Sequence, residues 1–140
     1  MGIFIVEAIV HSCTYFECVL CIYPPCNMST PQCKLPHQAT HLYLTAGSLE
    51  TTMLYEAGLA IPEFASFTLL RNPQAIAPMT AFYRTSALIA IENNTGVIFS
   101  TPTWRASKDW GEKLAYFPDD LKAINQESVA FLASIKGSQT

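Results

Sequence analysis

Hydrophobic residues recur at helical spacing in two long stretches of the chain. Between residues 73 and 93, and again between 118 and 136, they fall near i, i+3 and i+4. The apolar positions are Ile76, Met79, Phe82, Tyr83, Ala87 and Ala90 in the first stretch, and Leu121, Ile124, Val129, Leu132 and Ile135 in the second. The spacing predicts two amphipathic helices, each with one face turned to a core.

Local signals mark the ends of the first helix. Asn72 is a suitable N-cap, Pro73 suits the first helical position, and the polar residues 93–96 end the pattern. Pro78 lies inside the stretch and has no N–H group to donate to the preceding turn. It therefore predicts a later start or a kink.

Two short β-type runs precede and follow this helix. Residues 41–45 read HLYLT, and residues 97–101 form a continuous apolar run, as expected for a strand buried on both faces. A short helical pattern over residues 48–58 follows the first run, with Gly58 as its expected C-cap. The order strand, short helix, long helix, strand, loop, helix predicts an α/β chain with βαβ units and a parallel sheet.

The loops after the two strands carry the residue types of a ligand site. Residues 46–48 follow the first strand, and residues 101–110, with both tryptophans of the chain, follow the second. Parallel strands place their carboxyl ends at one edge, where ligands bind in α/β folds. Both loops are therefore expected to face one pocket.

The composition favours a packed domain and argues against a nucleic-acid partner. Half of the 140 residues are hydrophobic and 14% are charged, whereas ~25% charged residues are typical of soluble domains. The net charge is −3 and no run of Lys or Arg occurs, whereas nucleic-acid-binding surfaces are basic.

Cysteine and proline content divide the chain in two. All five cysteines lie within the first 33 residues, and residues 24–38 hold four prolines with little periodicity. We expect a Cys-rich apolar segment and a Pro-rich linker over residues 1–38, and a second unit over residues 39–140. Met28 offers an alternative start, in which case residues 1–27 would not belong to the natural chain.

The cysteine spacing raises the question of a metal cluster. Cys13, Cys18 and Cys21 show the C-x4-C-x2-C spacing of plant-type ferredoxins, with Cys26 or Cys33 as a fourth ligand. Bulky residues separate them, where a cluster loop needs small ones, so a chance spacing is the preferred interpretation.

The apolar run over residues 3–25 raises the question of a membrane segment. Glu7, His11 and Glu17 interrupt it, and a spanning helix would bury two carboxylates, at about 2.5–3.5 kcal/mol each. A membrane segment is therefore not favoured. A cytoplasmic location is expected, since no secretory pattern is evident and the cysteines fit a reducing compartment.

Three separated motifs resemble the N-terminal part of the homocysteine S-methyltransferases. They read LTAGSLETTML, GLAIPEFASFTLL and GVIFSTPTWRASKDWGEKLAY, and the similarity spans roughly residues 40–136. The resemblance implies the N-terminal fragment of a TIM (β/α)8 barrel, about two βα units long. It also implies a reaction in which zinc holds the homocysteine thiolate and a methyl donor, which the sequence does not identify, supplies the methyl group.

The resemblance also implies a set of substrate-binding residues. Gly47 and Glu50 match the family's motif after the first strand, and Thr101, Thr103 and Trp104 match the end of the second strand. Homocysteine is the implied ligand. No catalytic residue and no metal ligand carries over to this chain.

Two departures from the family pattern affect the expected activity. Ala46 stands where the family has an aspartate that helps to hold the polar end of the substrate. The family's zinc cysteines lie in later barrel strands, beyond residue 140. Arg105, next to the matched motif, could meet a substrate carboxylate or pair with Asp109.

These observations support three functional hypotheses. The first is a truncated homocysteine S-methyltransferase-like protein that is inactive alone. The second is a non-catalytic barrel fragment that acts through protein partners, by self-association or by pairing with a barrel homologue, because its sheet edges and apolar helix faces would be open. The third is a small Cys-based metal-binding or membrane-tethered module.

Overall fold

The computed structural model describes residues 19–22 and 42–137. Within them lie three β-strands: β1 (Val19–Ile22), β2 (Tyr43–Thr45) and β3 (Gly96–Ser100). The ferredoxin-like cysteine spacing and the Pro-rich linker lie outside the described residues, apart from the backbone at Cys21 in β1.

The three strands form one sheet in the order β1-β3-β2. β2 runs parallel to β3, with Tyr43 opposite Gly96. A Cβ at Gly96 would collide with the Tyr43 ring, so glycine lets that ring lie against the backbone of β3. β1 runs antiparallel along the other edge of β3, with Val19 opposite Ser100. The predicted parallel pairing of β2 and β3 is confirmed.

The prediction of a TIM-barrel fragment is wrong. Neighbouring strands of a (β/α)8 barrel are all parallel, whereas β3 has an antiparallel neighbour on the edge where the next parallel strand would lie. The described residues form a predominantly helical chain with one parallel strand pair. The prediction of irregular or helical structure before residue 39 is also wrong at residues 19–22, which form β1. Local periodicity carries no information on which segment pairs with the second edge of a strand.

Helices make up most of the described chain. The α-helices are α1 (Leu49–Tyr55), α2 (Pro73–Glu92), α3 (Lys108–Lys113) and α4 (Pro118–Gly137), and two 3₁₀ segments span Pro62–Phe64 and Ser66–Arg71. The three helices predicted from periodicity are confirmed. The short α3 was predicted as loop, because few apolar residues mark it and no side chain caps its start.

The boundaries of α1 and α2 follow their capping residues. The Asn72 side chain accepts a hydrogen bond from the Gln74 N–H at 3.0 Å, with Pro73 at the start of α2. The helix continues through Pro78, so the predicted later start is wrong. At the end of α1, Glu56 is the C-cap. The predicted cap, Gly58, instead takes a left-handed φ of 64° in the turn that follows.

Two hydrophobic clusters pack these elements together. The main cluster joins α1, α2, β3 and α4, and its buried members are Leu49, Met53, Ile61, Leu69, Ala75, Met79, Tyr83, Ala87, Ala90, Val97, Phe99, Leu132 and Ile135. A second cluster joins the 3₁₀ segments to α4, through Ala65, Phe67, Leu121 and Ile124. The predicted core residue Ile76 is instead 38% exposed, and the core position one residue earlier is held by Ala75.

Candidate functional site

A pocket of about 530 Å³ opens at the carboxyl ends of β2 and β3. Residues 45–50 line one side, and residues of the loop that follows β3 line the other. Phe82 and Tyr83 of α2 lie between them, and Phe64 of the first 3₁₀ segment completes the wall. The strand order predicted that these two loops would converge, and they do.

Four of the five predicted site residues line this pocket. Gly47 and Glu50 come from the first loop and the start of α1, and Thr101 and Trp104 come from the second loop. Thr103 lies outside the lining and is 5% exposed. Its Oγ1 is 2.9 Å from the Oγ1 of Thr101, within hydrogen-bond distance. Thr103 thus supports Thr101, which lines the pocket, from outside the lining.

The buried side of the pocket is built around Tyr83. Its hydroxyl donates a hydrogen bond to the Ser100 carbonyl at 2.9 Å, and its ring packs edge to face against Phe99 at 5.1 Å and Phe82 at 5.2 Å. Burial raises the pKa of Tyr83 well above its usual range, and the negative charge of Glu50 raises it further. The hydroxyl therefore stays protonated and holds the end of β3 against α2.

Glu50 is the acidic side chain of the pocket, and Arg105 is the basic one. Glu50 is half-buried in the first turn of α1. The Ser48 hydroxyl lies 3.5 Å from Glu50 Oε2 and accepts a hydrogen bond from the Thr51 N–H at 3.4 Å. The cap of α1 thus fixes the backbone that carries the carboxylate.

The mouth of the pocket has an unusual backbone. Glu63, Phe64 and Arg105 all adopt left-handed φ values, of 51°, 58° and 65°, a region that non-glycine residues seldom occupy. The Trp104 N–H donates to the buried Ser66 Oγ at 3.1 Å, which ties this loop to the second 3₁₀ segment. None of these three residue types signals a left-handed conformation in a sequence.

Arg105 has partners other than the expected Asp109. One terminal nitrogen of its guanidinium donates to the Glu63 carbonyl, and its Cζ lies 3.9 Å from the centroid of the Trp110 ring. Lys113 Nζ lies 4.7 Å from the same centroid and 3.0 Å from Glu63 Oε2. Trp110 belongs to the loop expected to face the pocket, but no motif or spacing indicates that Trp110 and Glu63 are the partners of Arg105.

The described residues do not fit a zinc site. Zinc sites in proteins use three or four Cys, His or carboxylate ligands, and the lining of the pocket contributes Glu50 alone. Elsewhere in residues 42–137, no group of three His, Cys, Asp or Glu side chains converges. The helices of the described part also include none that is long and apolar enough to cross a bilayer.

Comparison with known proteins adds no assignment to this site. No protein-family model matches the chain, and neither a curated protein nor a solved structure matches it.

Proposed function

We propose that the pocket binds homocysteine and that the chain is a homocysteine S-methyltransferase-like protein. One observation carries the proposal: Gly47, Glu50, Thr101 and Trp104, which the resemblance to that family selects, border one cavity of about 530 Å³. They come from two loops that are distant in the sequence. The volume of the cavity lies in the range of small-molecule pockets.

The lining offers matching chemistry to each part of this ligand. The ammonium group of homocysteine pairs with the Glu50 carboxylate, which is half-buried and so less screened than a surface charge. Its methylene groups and sulfur pack against Phe64, Phe82 and Trp104, which line the pocket together.

The described residues are assigned to binding and not to methyl transfer. Attack by the sulfur requires a thiolate, and no cationic or basic group of the lining other than Arg105 could stabilise one. We expect the chain alone to bind homocysteine without forming methionine. The methyl donor stays unassigned.

Calorimetric titration of the full chain with homocysteine under reducing conditions tests this function. Glu50→Gln should weaken homocysteine binding about tenfold or more, because it removes the carboxylate partner of the ammonium group. Glu56→Gln is the matched control, since Glu56 lies at the other end of the same helix, outside the pocket. Absence of binding at millimolar homocysteine, or equal losses in the two variants, would refute the proposal.

A second candidate role is self-association. Leu88, Ile89 and Ile91 of α2 are 49%, 47% and 43% exposed, and β2 is an edge strand of the sheet in the described chain. An exposed aliphatic patch and an open sheet edge each favour contact with a second copy. Light scattering should show a dimer or larger species that Leu88→Lys disperses, while Gln126→Lys, at an exposed position of α4, leaves it intact. A monomer at all concentrations would exclude this role.

We also infer a cytoplasmic location. Five cysteines within 33 residues leave one thiol over in any complete disulfide framework, which suits a reducing compartment. Fractionation of cells with an antibody against residues 103–116 tests the inference, and recovery in a secreted or membrane fraction would overturn it.

A further inference from the structure

The positive charge of Arg105 meets no carboxylate among the described residues. Its guanidinium donates to the backbone carbonyl of Glu63, which is neutral. The Glu63 carboxylate pairs instead with Lys113, at 3.0 Å. Arg105 nevertheless lines the pocket, whereas Lys113 does not. The pocket therefore has a cationic group whose charge is available to a ligand.

The guanidinium of Arg105 is held in place before any ligand binds. One of its faces lies 3.9 Å from the centre of the Trp110 ring, and the Glu63 carbonyl anchors one terminal nitrogen. The left-handed backbone of Arg105 is stabilised locally, because its carbonyl accepts from the Ser107 N–H at 2.8 Å. Strained conformations of this kind persist where surrounding contacts fix them, often at ligand sites.

The geometry of the guanidinium favours a carboxylate as its ligand. Arginine carries five N–H donors in a planar fork, and this fork matches the two oxygens of a carboxylate. One donor is used by Glu63 and one face is covered by Trp110, which leaves the other edges of the fork for hydrogen bonding. A side chain fixed in advance loses less conformational entropy when it binds.

We propose that Arg105 determines the specificity of the pocket by binding the α-carboxylate of its ligand, while Glu50 binds the α-ammonium group. The two opposite charges then select a zwitterionic α-amino acid over a thiol that carries only one of the two groups. This inference rests on the proposed binding of homocysteine, and it adds a role for Arg105 that the resemblance does not supply.

Two analogues of homocysteine test the two charges separately. 4-Mercaptobutyrate lacks the ammonium group, and 3-mercaptopropylamine lacks the carboxylate. Arg105→Gln should weaken the binding of homocysteine and of 4-mercaptobutyrate about tenfold to a hundredfold, and leave 3-mercaptopropylamine within about twofold. Glu50→Gln should do the reverse with the two analogues. Arg105→Lys keeps the charge and loses the planar fork, so its affinity for homocysteine should lie between those of Arg105→Gln and the unchanged protein.

Lys113→Met is the matched control. Lys113 contacts the same Trp110 ring and the same Glu63 residue but lies outside the pocket lining, so its loss should weaken all three ligands about equally and by less than about threefold. If Arg105→Gln weakened the binding of all three ligands equally, this inference would be overturned, but the proposal that the pocket binds homocysteine would stand. The same carboxylate-selective loss in Lys113→Met would also overturn this inference. Failure of all three ligands to bind the unchanged protein would refute both this inference and the proposed function.

Discussion

The floor and the mouth of the pocket are built from different kinds of structure. The floor consists of Tyr83, which lines the pocket, and Phe99, whose ring packs behind it. Both are 1% exposed and belong to a regular helix and strand. Phe64 and Trp104 at the mouth are 38% and 47% exposed and come from a 3₁₀ segment and a loop. Ring packing and one buried hydrogen bond hold the floor residues together. At the mouth, half-exposed charges and a cation–π contact do so.

This difference separates stability from recognition. Floor residues contribute apolar burial, the largest favourable term in folding. Contacts at the mouth are more solvated and contribute little to folding, yet they fix the direction of Arg105. Substitutions on the floor should therefore change the free energy of unfolding, and substitutions at the mouth should mainly change ligand affinity.

The largest effect is expected for Phe99→Ala, which removes the buried ring that packs against Tyr83. It should lower the free energy of unfolding by about 3–5 kcal/mol in urea denaturation. Trp104→Ala removes a larger ring, but one that is about half exposed, and should cost less than about 1 kcal/mol. Similar losses in the two variants would abolish the distinction between floor and mouth.

Tyr83→Phe isolates the polar contribution of the floor. It keeps the ring and removes the hydrogen bond to the Ser100 carbonyl, so the free energy of unfolding should fall by about 1 kcal/mol at neutral pH. A variant as stable as the unchanged protein would mean that this hydrogen bond adds nothing to the packing of the ring.

The same substitution should change the response to high pH. Burial, reinforced by the charge of Glu50, raises the pKa of Tyr83 in the folded protein, whereas an unfolded tyrosine loses its proton near pH ~10. The stabilisation is complete below that pH and declines as the pH rises above it, by at most about 1.4 kcal/mol per pH unit. Urea denaturation at pH 8 and pH 10.5 should therefore show a smaller decline for Tyr83→Phe.

Backbone strain near the mouth can be tested at the end of α3, the helix that carries Trp110. Ala115 takes a φ of 62° there, and the Tyr116 N–H donates to the Gly111 carbonyl at 2.8 Å, the arrangement that favours glycine at a helix end. Ala115→Gly should raise the free energy of unfolding by about 0.5–1 kcal/mol. Ala130→Gly, at an exposed position inside α4, should lower it by about 1 kcal/mol. A loss in both variants would contradict the strain at residue 115.

The smallest effect is expected for an exposed ion pair away from the pocket. A terminal guanidinium nitrogen of Arg71 lies 2.8 Å from Glu127 Oε2, and the two side chains are 41% and 45% exposed. A double-mutant cycle with Arg71→Ala and Glu127→Ala should give a coupling of about 0.5 kcal/mol that shrinks in 1 M salt. A coupling well above 1 kcal/mol would mean that half-exposed charges, including Glu63 and Lys113 at the mouth, contribute substantially to folding.

Local features of the fold could be predicted from the sequence, and long-range ones could not. Asn72 and Pro73 mark the start of α2, and Met79 and Tyr83 face the core as their spacing indicates. The buried face of α4 also passes through Ser128, a polar residue that hydropathy does not select. The position of β1 beside β3 depends on a pairing between segments far apart in the chain, which no local period encodes.

The candidate site could likewise be predicted only in part. Convergence of the loops after β2 and β3 follows from parallel strands, so the positions of Glu50 and Thr101 could be expected. The partners of Arg105 could not, because they depend on left-handed backbone at Glu63 and at Arg105 itself. Neither residue type favours that conformation, so these angles arise from tertiary contacts.

The position of β1 links the N-terminal segment to the question of partners. β1 covers the backbone of β3 from Val97 to Ser100. A chain that began at Met28 would leave this edge of β3, the strand that ends in the pocket, without a partner strand from β1. Such an edge accepts a strand from another chain as readily as one from its own. The point at which translation begins would then decide whether this sheet is completed within one molecule or between two.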